Sequence, residues 1–182
     1  FSFWACRFTP EQRKSQNRIQ SDTGEIKVDY TGQTLSLVTL RTEAAIFPEG
    51  TTFRGNHLTA RADKFFGMIA AITLNGNSFT DSNRLLLIHV TDCKQENSLY
   101  DSRKLSVLKN YGDLQHVLAR HGICEITLSL SKGKWKIYAL NFDGARLGEV
   151  PFQQNGQSIR FITDTFYGND QVAFAYELVK ER

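Results

Sequence analysis

No apolar run in this chain is long enough to cross a bilayer as a helix, and no membrane partner is expected. Low-complexity tracts and runs of like charge are also missing, so nothing points to disorder. The net charge is only +3 and its basic residues are dispersed. Nucleic-acid binding leaves a denser footprint than that, so no nucleic-acid partner is expected. Three cysteines, Cys6, Cys93 and Cys124, cannot all pair within one chain, and none has the spacing of a zinc site. Buried thiols are the preferred reading; a Cys93–Cys124 bridge between neighbouring strands is the alternative. The chain opens on Phe1 and shows no signal-peptide pattern. A fragment or a mature form is therefore expected, and export cannot be read from the sequence.

Catalytic signatures are missing too. No nucleophile elbow, zinc-binding His-Glu-x-x-His, phosphate loop or dinucleotide fingerprint occurs. His89 sits inside an apolar stretch, where a hydrogen-bonded core histidine is the expected role. His57, His116 and His121 lie near turns and are expected to be solvated. Asp22, Asp29, Asp63, Asp81, Asp92, Asp143, Asp164 and Asp170 fall mostly at turns or strand ends, where capping of backbone groups accounts for them. No catalytic residue is assigned.

What is present is alternation. Cys124, Ile126, Leu128 and Leu130 interleave with Ile123, Glu125, Thr127 and Ser129, the period of a half-buried strand. Ser131 to Lys134 supplies a polar break with a glycine, the chemistry of a hairpin loop. Trp135–Phe142 resumes as a second strand. Asp143-Gly144 turns the chain into a strand over Arg146–Phe152, and Asn155-Gly156 turns it again into Ser158–Thr163. The region reads as an antiparallel meander.

Upstream, Phe1–Gln20 reads as a lead-in or linker segment with no packed face. Residues 21–182 read as one domain, and that length suits a single core. Strands are expected at Glu25–Tyr30, Thr34–Leu40 (Leu35 and Leu37 on one face) and Thr42–Phe47. Leu58–Leu74 divides near Ala62-Asp63, and its second half is apolar on both faces, as in a central sandwich strand. Arg84–Thr91 is a second such strand. Lys94–Arg103 reads as a surface loop, Leu105–Leu108 as a small strand, and Gly112–His121 as a strand rather than a helix. Gln171–Val179 alternates Val172, Phe174, Tyr176 and Leu178 and closes the domain. About ten strands with close-spaced turns specify an all-β fold: an antiparallel, jelly-roll-like β-sandwich.

Aromatic residues outside the apparent core carry the functional signal. A sugar ring has an apolar C–H face that stacks on a flat aromatic, while nearby polar groups fix its hydroxyls. Tyr100 and Tyr111 flank the segment Asp101–Asn110. Tyr167 lies beside Phe166, Asn169 and Asp170, and Trp135 lies between Lys134 and Lys136. These four are the candidate ligand-binding residues. Taken singly, each also fits packing in the core or at an edge, Trp135 most of all. Trp4 and Phe1 fit packing against a separate domain.

Several fragments carry a resemblance. Ser21-Asp22-Thr23-Gly24-Glu25-Ile26, Thr39 to Ile46, Ser82 to Leu87, His89-Val90-Thr91-Asp92, Trp135 to Leu140 and Ala173 to Leu178 together resemble a family of accessory domains. These β-sandwich domains follow the catalytic barrel in some large bacterial glycoside-hydrolase-like proteins. The similarity runs from about Ser21 to the end of the chain. It implies a non-catalytic accessory domain of a polysaccharide-degrading enzyme, extracellular or periplasmic. In such proteins the catalytic carboxylates belong to the barrel, so none transfers to this chain. It also implies a structural calcium ion held by turn carboxylates and carbonyls, with no ligand set named and no other cofactor. Phe1–Gln20 and the loop Asp92–Tyr111 depart from the family pattern, so no sugar-binding residue is carried over. The expected function is a carbohydrate-binding module that keeps a linked catalytic domain near its polysaccharide. The alternative is a structural domain that packs on and stabilises the catalytic domain, marked by a large exposed apolar patch.

Overall fold

The computed structural model describes residues 17–101, 108–168 and 171–181. Cys6, Trp4, Phe1, Asn169, Asp170 and most of Leu105–Leu108 lie outside them. The described residues form twenty strands and no helix. They are β1 (Arg18–Gln20), β2 (Ile26–Asp29), β3 (Thr34–Val38), β4 (Thr42–Phe47), β5 (Thr52–Arg54), β6 (Leu58–Ala62), β7 (Gly67–Thr73) and β8 (Arg84–Val90). Then follow β9 (Cys93–Glu96), β10 (Leu99–Tyr100), β11 (Leu108–Asn110), β12 (Asp113–Ala119), β13 (Ile123–Ser129) and β14 (Trp135–Leu140). Last are β15 (Arg146–Glu149), β16 (Phe152–Asn155), β17 (Ser158–Asp164), β18 (Phe166–Tyr167), β19 (Gln171–Val172) and β20 (Ala175–Lys180).

Two antiparallel sheets carry the fold. One has nine strands in the order β1-β2-β3-β4-β7-β8-β20-β14-β15; the other has five, β16-β17-β13-β6-β5. Their facing sides share one hydrophobic core. Ala45, Phe47, Ile69, Leu87, Ile137 and Leu178 come from the larger sheet, and Leu58, Ile126, Leu128, Ile159 and Phe161 from the smaller. The rings of Phe161 and Tyr176 meet across the gap with centroids 6.4 Å apart. This is the expected β-sandwich, with roughly twice the expected number of strands.

Three expectations about connection change. Ser131–Lys134 is not a hairpin loop. β13 pairs with β17 and β6, whereas β14 pairs with β15 and β20, so the polar break carries the chain from one sheet to the other. The expected strand Arg146–Phe152 divides at Val150-Pro151 and crosses back, β15 joining the nine-stranded sheet and β16 the five-stranded one. Local alternation does not distinguish a hairpin from a crossover, because both strands bury one face in the same core. The true hairpins are at Asp143-Gly144 and Asn155-Gly156, where Gly144 and Gly156 take positive φ. Finally, Arg18–Gln20 is not linker but pairs with β2 at the sheet edge, Ile19 opposite Val28.

The outer side of the nine-stranded sheet is apolar as well. Residues in register share a face, so the pairing can be read straight across. Ile19, Val28, Leu35, Ile46, Met68 and Val90 form one row. Ile26, Leu37, Ala44, Ala70, Ile88 and Ala175 form the next. Most of these side chains are half-buried, Ala70 is buried, and Ile26 and Leu35 are exposed. At one end the rows give way to charge: the buried Glu177 carboxylate accepts from Arg84 Nε at 2.6 Å and Arg146 Nε at 2.8 Å. Burial raises the Glu177 pKa, but the two guanidiniums outweigh it and hold the group below the usual carboxylate range.

Candidate functional site

The four aromatic candidates do not form one platform. Trp135 is 3% exposed. On β14 it shares parity with Ile137 and Ala139, so its ring enters the core, and Nε1 donates to the Ser131 carbonyl at 3.0 Å. It is a packing residue, not a sugar platform. Tyr167 is partly buried against the core, and its hydroxyl sits so close over Gly148 that a Cβ there would collide with it.

Tyr100 and Tyr111 belong to one two-stranded ribbon. The stretch expected to be loop is in fact β9 and β10. β10 pairs with β11 as a two-stranded ribbon, Leu99 opposite Asn110 and Tyr100 opposite Leu108. Tyr100 is half-buried within it, and Tyr111, directly after β11, is 69% exposed. Polar groups line the same ribbon: Lys109 Nζ pairs with Asp101 at 2.6 Å, and Asn110 Oδ1 accepts from the Gly112 amide at 3.2 Å. Gly112 fixes the exit of the ribbon. It has φ +75°, and a Cβ there would collide with the Glu96 carbonyl. Gly112→Ala is expected to cost at least about 1 kcal/mol. In amide NMR spectra the shifts should stay confined to the ribbon and β9–β12; shifts spread through the core would show that the ribbon is not an independent unit.

Below the ribbon, Glu96 on β9 and Asp113 on β12 are direct cross-strand partners, an unfavourable placement for like charges. His116 Nδ1 lies between them, 3.0 Å from Asp113 Oδ2 and 3.5 Å from Glu96 Oε2. Among the described residues this is the one group of His, Cys, Asp or Glu with metal-ligand spacing. Its imidazole is a poor match to calcium, which takes oxygen ligands. A separate polar cleft of about 340 Å³ opens at one end of the sandwich, lined by Thr80, Asp81, Ser82, Asn83, Lys180 and Glu181.

Cys93 and Cys124 are not bridged. Cys93 is exposed and Cys124 buried, both free thiols. Burial pushes the Cys124 thiol up to about 12, which leaves it unreactive. The buried-thiol reading holds for Cys124 and not for Cys93.

Two buried polar groups escaped the sequence reading or departed from it. Glu43 is fully buried. Its carboxylate, on the core face of β4, accepts from the backbone amides of Asn56, His57 and Leu58, the closest at 2.7 Å. It thereby ties the larger sheet to the β5–β6 turn of the smaller one. The signal was in the sequence: the alternation of Thr42–Phe47 puts Glu43 on the face of Ala45 and Phe47. His89 is buried, as expected, but neither ring nitrogen has a hydrogen-bond partner among the described residues. Its ring packs on Phe65, centroids 4.5 Å apart. Desolvation, helped by the nearby His121, pushes its pKa down to about 4. The three other histidines lie at or near the surface, His121 Nε2 2.9 Å from Asp164 and His57 stacked on Phe79.

Comparison with protein-family models, curated proteins and solved structures finds no match to this chain.

Proposed function

We propose that this chain is a non-catalytic carbohydrate-binding module of a polysaccharide-degrading enzyme, working outside the cell or in the periplasm. The observation that supports the reading best is the β10–β11 ribbon. It carries the half-buried Tyr100 on β10 and the exposed ring of Tyr111 directly after β11, with Lys109 and Asn110 on β11 and Asp101 directly after β10. A flat ring next to a cation, a carboxylate and an amide is the chemistry that holds a sugar by stacking and hydroxyl hydrogen bonds. Such a module keeps a linked catalytic domain at high effective concentration near its substrate, so its own affinity need not be high. The polysaccharide is the partner, and the linked domain performs the chemistry.

The test is a broad glycan array with the folded chain, followed by calorimetry on any hit. Tyr111→Ala is expected to weaken binding by about tenfold, the scale of one aromatic contact, with the melting temperature unchanged. Tyr100→Ala should weaken it less, because that ring is half-buried. A folded chain that binds no glycan, or a Tyr111→Ala variant that binds as well as the parent, would remove the reading.

A second reading has its own observation. A domain that packs on and stabilises a neighbouring catalytic domain needs a broad apolar surface, and the outer side of the nine-stranded sheet supplies one.

A further inference from the structure

The outer rows of the nine-stranded sheet are a feature that glycan binding leaves unused. Sandwich sheets ordinarily alternate, apolar towards the core and polar towards water. Here β2, β3, β4, β7 and β8 are aliphatic on the outer side across two adjacent register rows, and neither row contains a charged side chain. A third row continues the surface through Ile72 and Leu86 before Glu177 ends it. With strands about 4.8 Å apart and rows about 7 Å apart, each position covers about 34 Å², so the six apolar positions in each of the first two rows and the two in the third make a patch of about 500 Å². That is at the upper end for a soluble monomer.

We infer that this face is an interface with an adjacent folded domain of the same polypeptide, whose contacting surface is aliphatic. Three observations select that occupant. The rows contain no aromatic ring, so they offer a sugar no stacking platform. Their size is the second: about 500 Å² a side gives about 1,000 Å² in total, within the range of interfaces between domains of one chain. A stable complex of separate molecules typically buries about 1,600 Å², so a second copy is too weakly held by this patch alone. Tethering makes up the difference, because a linked domain meets the face at high effective concentration. Third, the charge is confined to one margin, where Arg84, Glu177 and Arg146 form a polar rim beside an apolar centre, the usual anatomy of a docking surface. The inference rests on the second reading above and is independent of the tyrosine ribbon, which lies outside both large sheets.

The experiment measures thiol labelling at an outer-face position. Leu37→Cys is introduced with Cys6 and Cys93 replaced by serine; Cys124 stays, being buried. Labelling is followed in the 182-residue chain and in the full native polypeptide that carries it. The expected result is a rate slowed about tenfold or more in the native polypeptide, as for a face closed nine-tenths of the time. Val117→Cys, on the separate β9–β12 pair and exposed, should label alike in both. If Leu37→Cys does not fold, Ile88→Cys on the same row replaces it. Equal labelling at the face in both proteins overturns the inference. So does protection that rises with concentration in the 182-residue chain, which would make the occupant a second copy.

Discussion

Replacing Glu43 with alanine is expected to lower the stability of this domain by about 3–5 kcal/mol, the cost of leaving several buried amides without an acceptor. The carboxylate lies in the core and collects the amides of Asn56, His57 and Leu58. Each donor points inward, so truncation strands all of them at once and opens a void beside Gly55, which has room for no side chain of its own. For a domain of this size the loss corresponds to a fall in melting temperature of about 10 °C. Glu43→Gln keeps one acceptor oxygen but turns an NH₂ towards the same amides, so its cost should fall between those of wild type and alanine. Urea unfolding followed by Trp135 fluorescence measures both, since that ring is buried. A loss below about 1 kcal/mol for Glu43→Ala would mean that water replaces the carboxylate and that the two sheets are not tied there.

The second large effect is a dependence on pH from His89. Its folded pKa is about 4 and the ordinary value is 6.5. Above 6.5 the imidazole is neutral in both folded and unfolded chains, and its burial carries no proton penalty. Below 6.5 the unfolded chain takes up a proton that the folded chain refuses. Stability therefore falls as pH drops from about 6.5 towards about 4, by about 1.4 kcal/mol per pH unit and about 3 kcal/mol in all. Below about 4 the two states bind the proton alike and this contribution levels off. Glu177 and Asp29, held below the carboxylate range by their partners, lose their contribution at lower pH, as those carboxylates protonate. His89→Leu removes the titration, and it also removes two buried nitrogens with no hydrogen-bond partner among the described residues. Denaturation at pH 7 and pH 5 should then differ by about 2 kcal/mol in the parent and far less in the variant. An equal loss in both proteins would place the acid sensitivity elsewhere.

Much of the fold was legible because strand alternation is local. Cys124, Ile126 and Leu128 were placed on the core face from period alone, and they are buried. Ala62-Asp63 marked the break between β6 and β7, and Asp143-Gly144 and Asn155-Gly156 marked real hairpins. The ribbon around Tyr100 was read as loop because its strands are only two and three residues long, too short for alternation to reveal them. Trp135 showed the opposite difficulty. Its lysine neighbours made it a surface candidate beside the packing role that fitted it most of all, but Lys134 lies before the strand and Lys136 on the opposite parity of β14, which turns the indole into the core.

The sequence by itself determined that this is an all-β chain, which residues alternate, and where the tight turns fall. Those properties depend on neighbours one or two positions away, through side-chain parity and the φ that glycine permits. Only the tertiary structure decided which strands share a sheet. It alone turned Ser131–Lys134 into a crossover, set Glu43 against the β5–β6 turn, and left the His89 ring nitrogens without a hydrogen-bond partner among the described residues. It alone lined up the aliphatic outer rows, because each strand contributes only one to three of those side chains. Their continuity exists only once register places strands distant in sequence side by side.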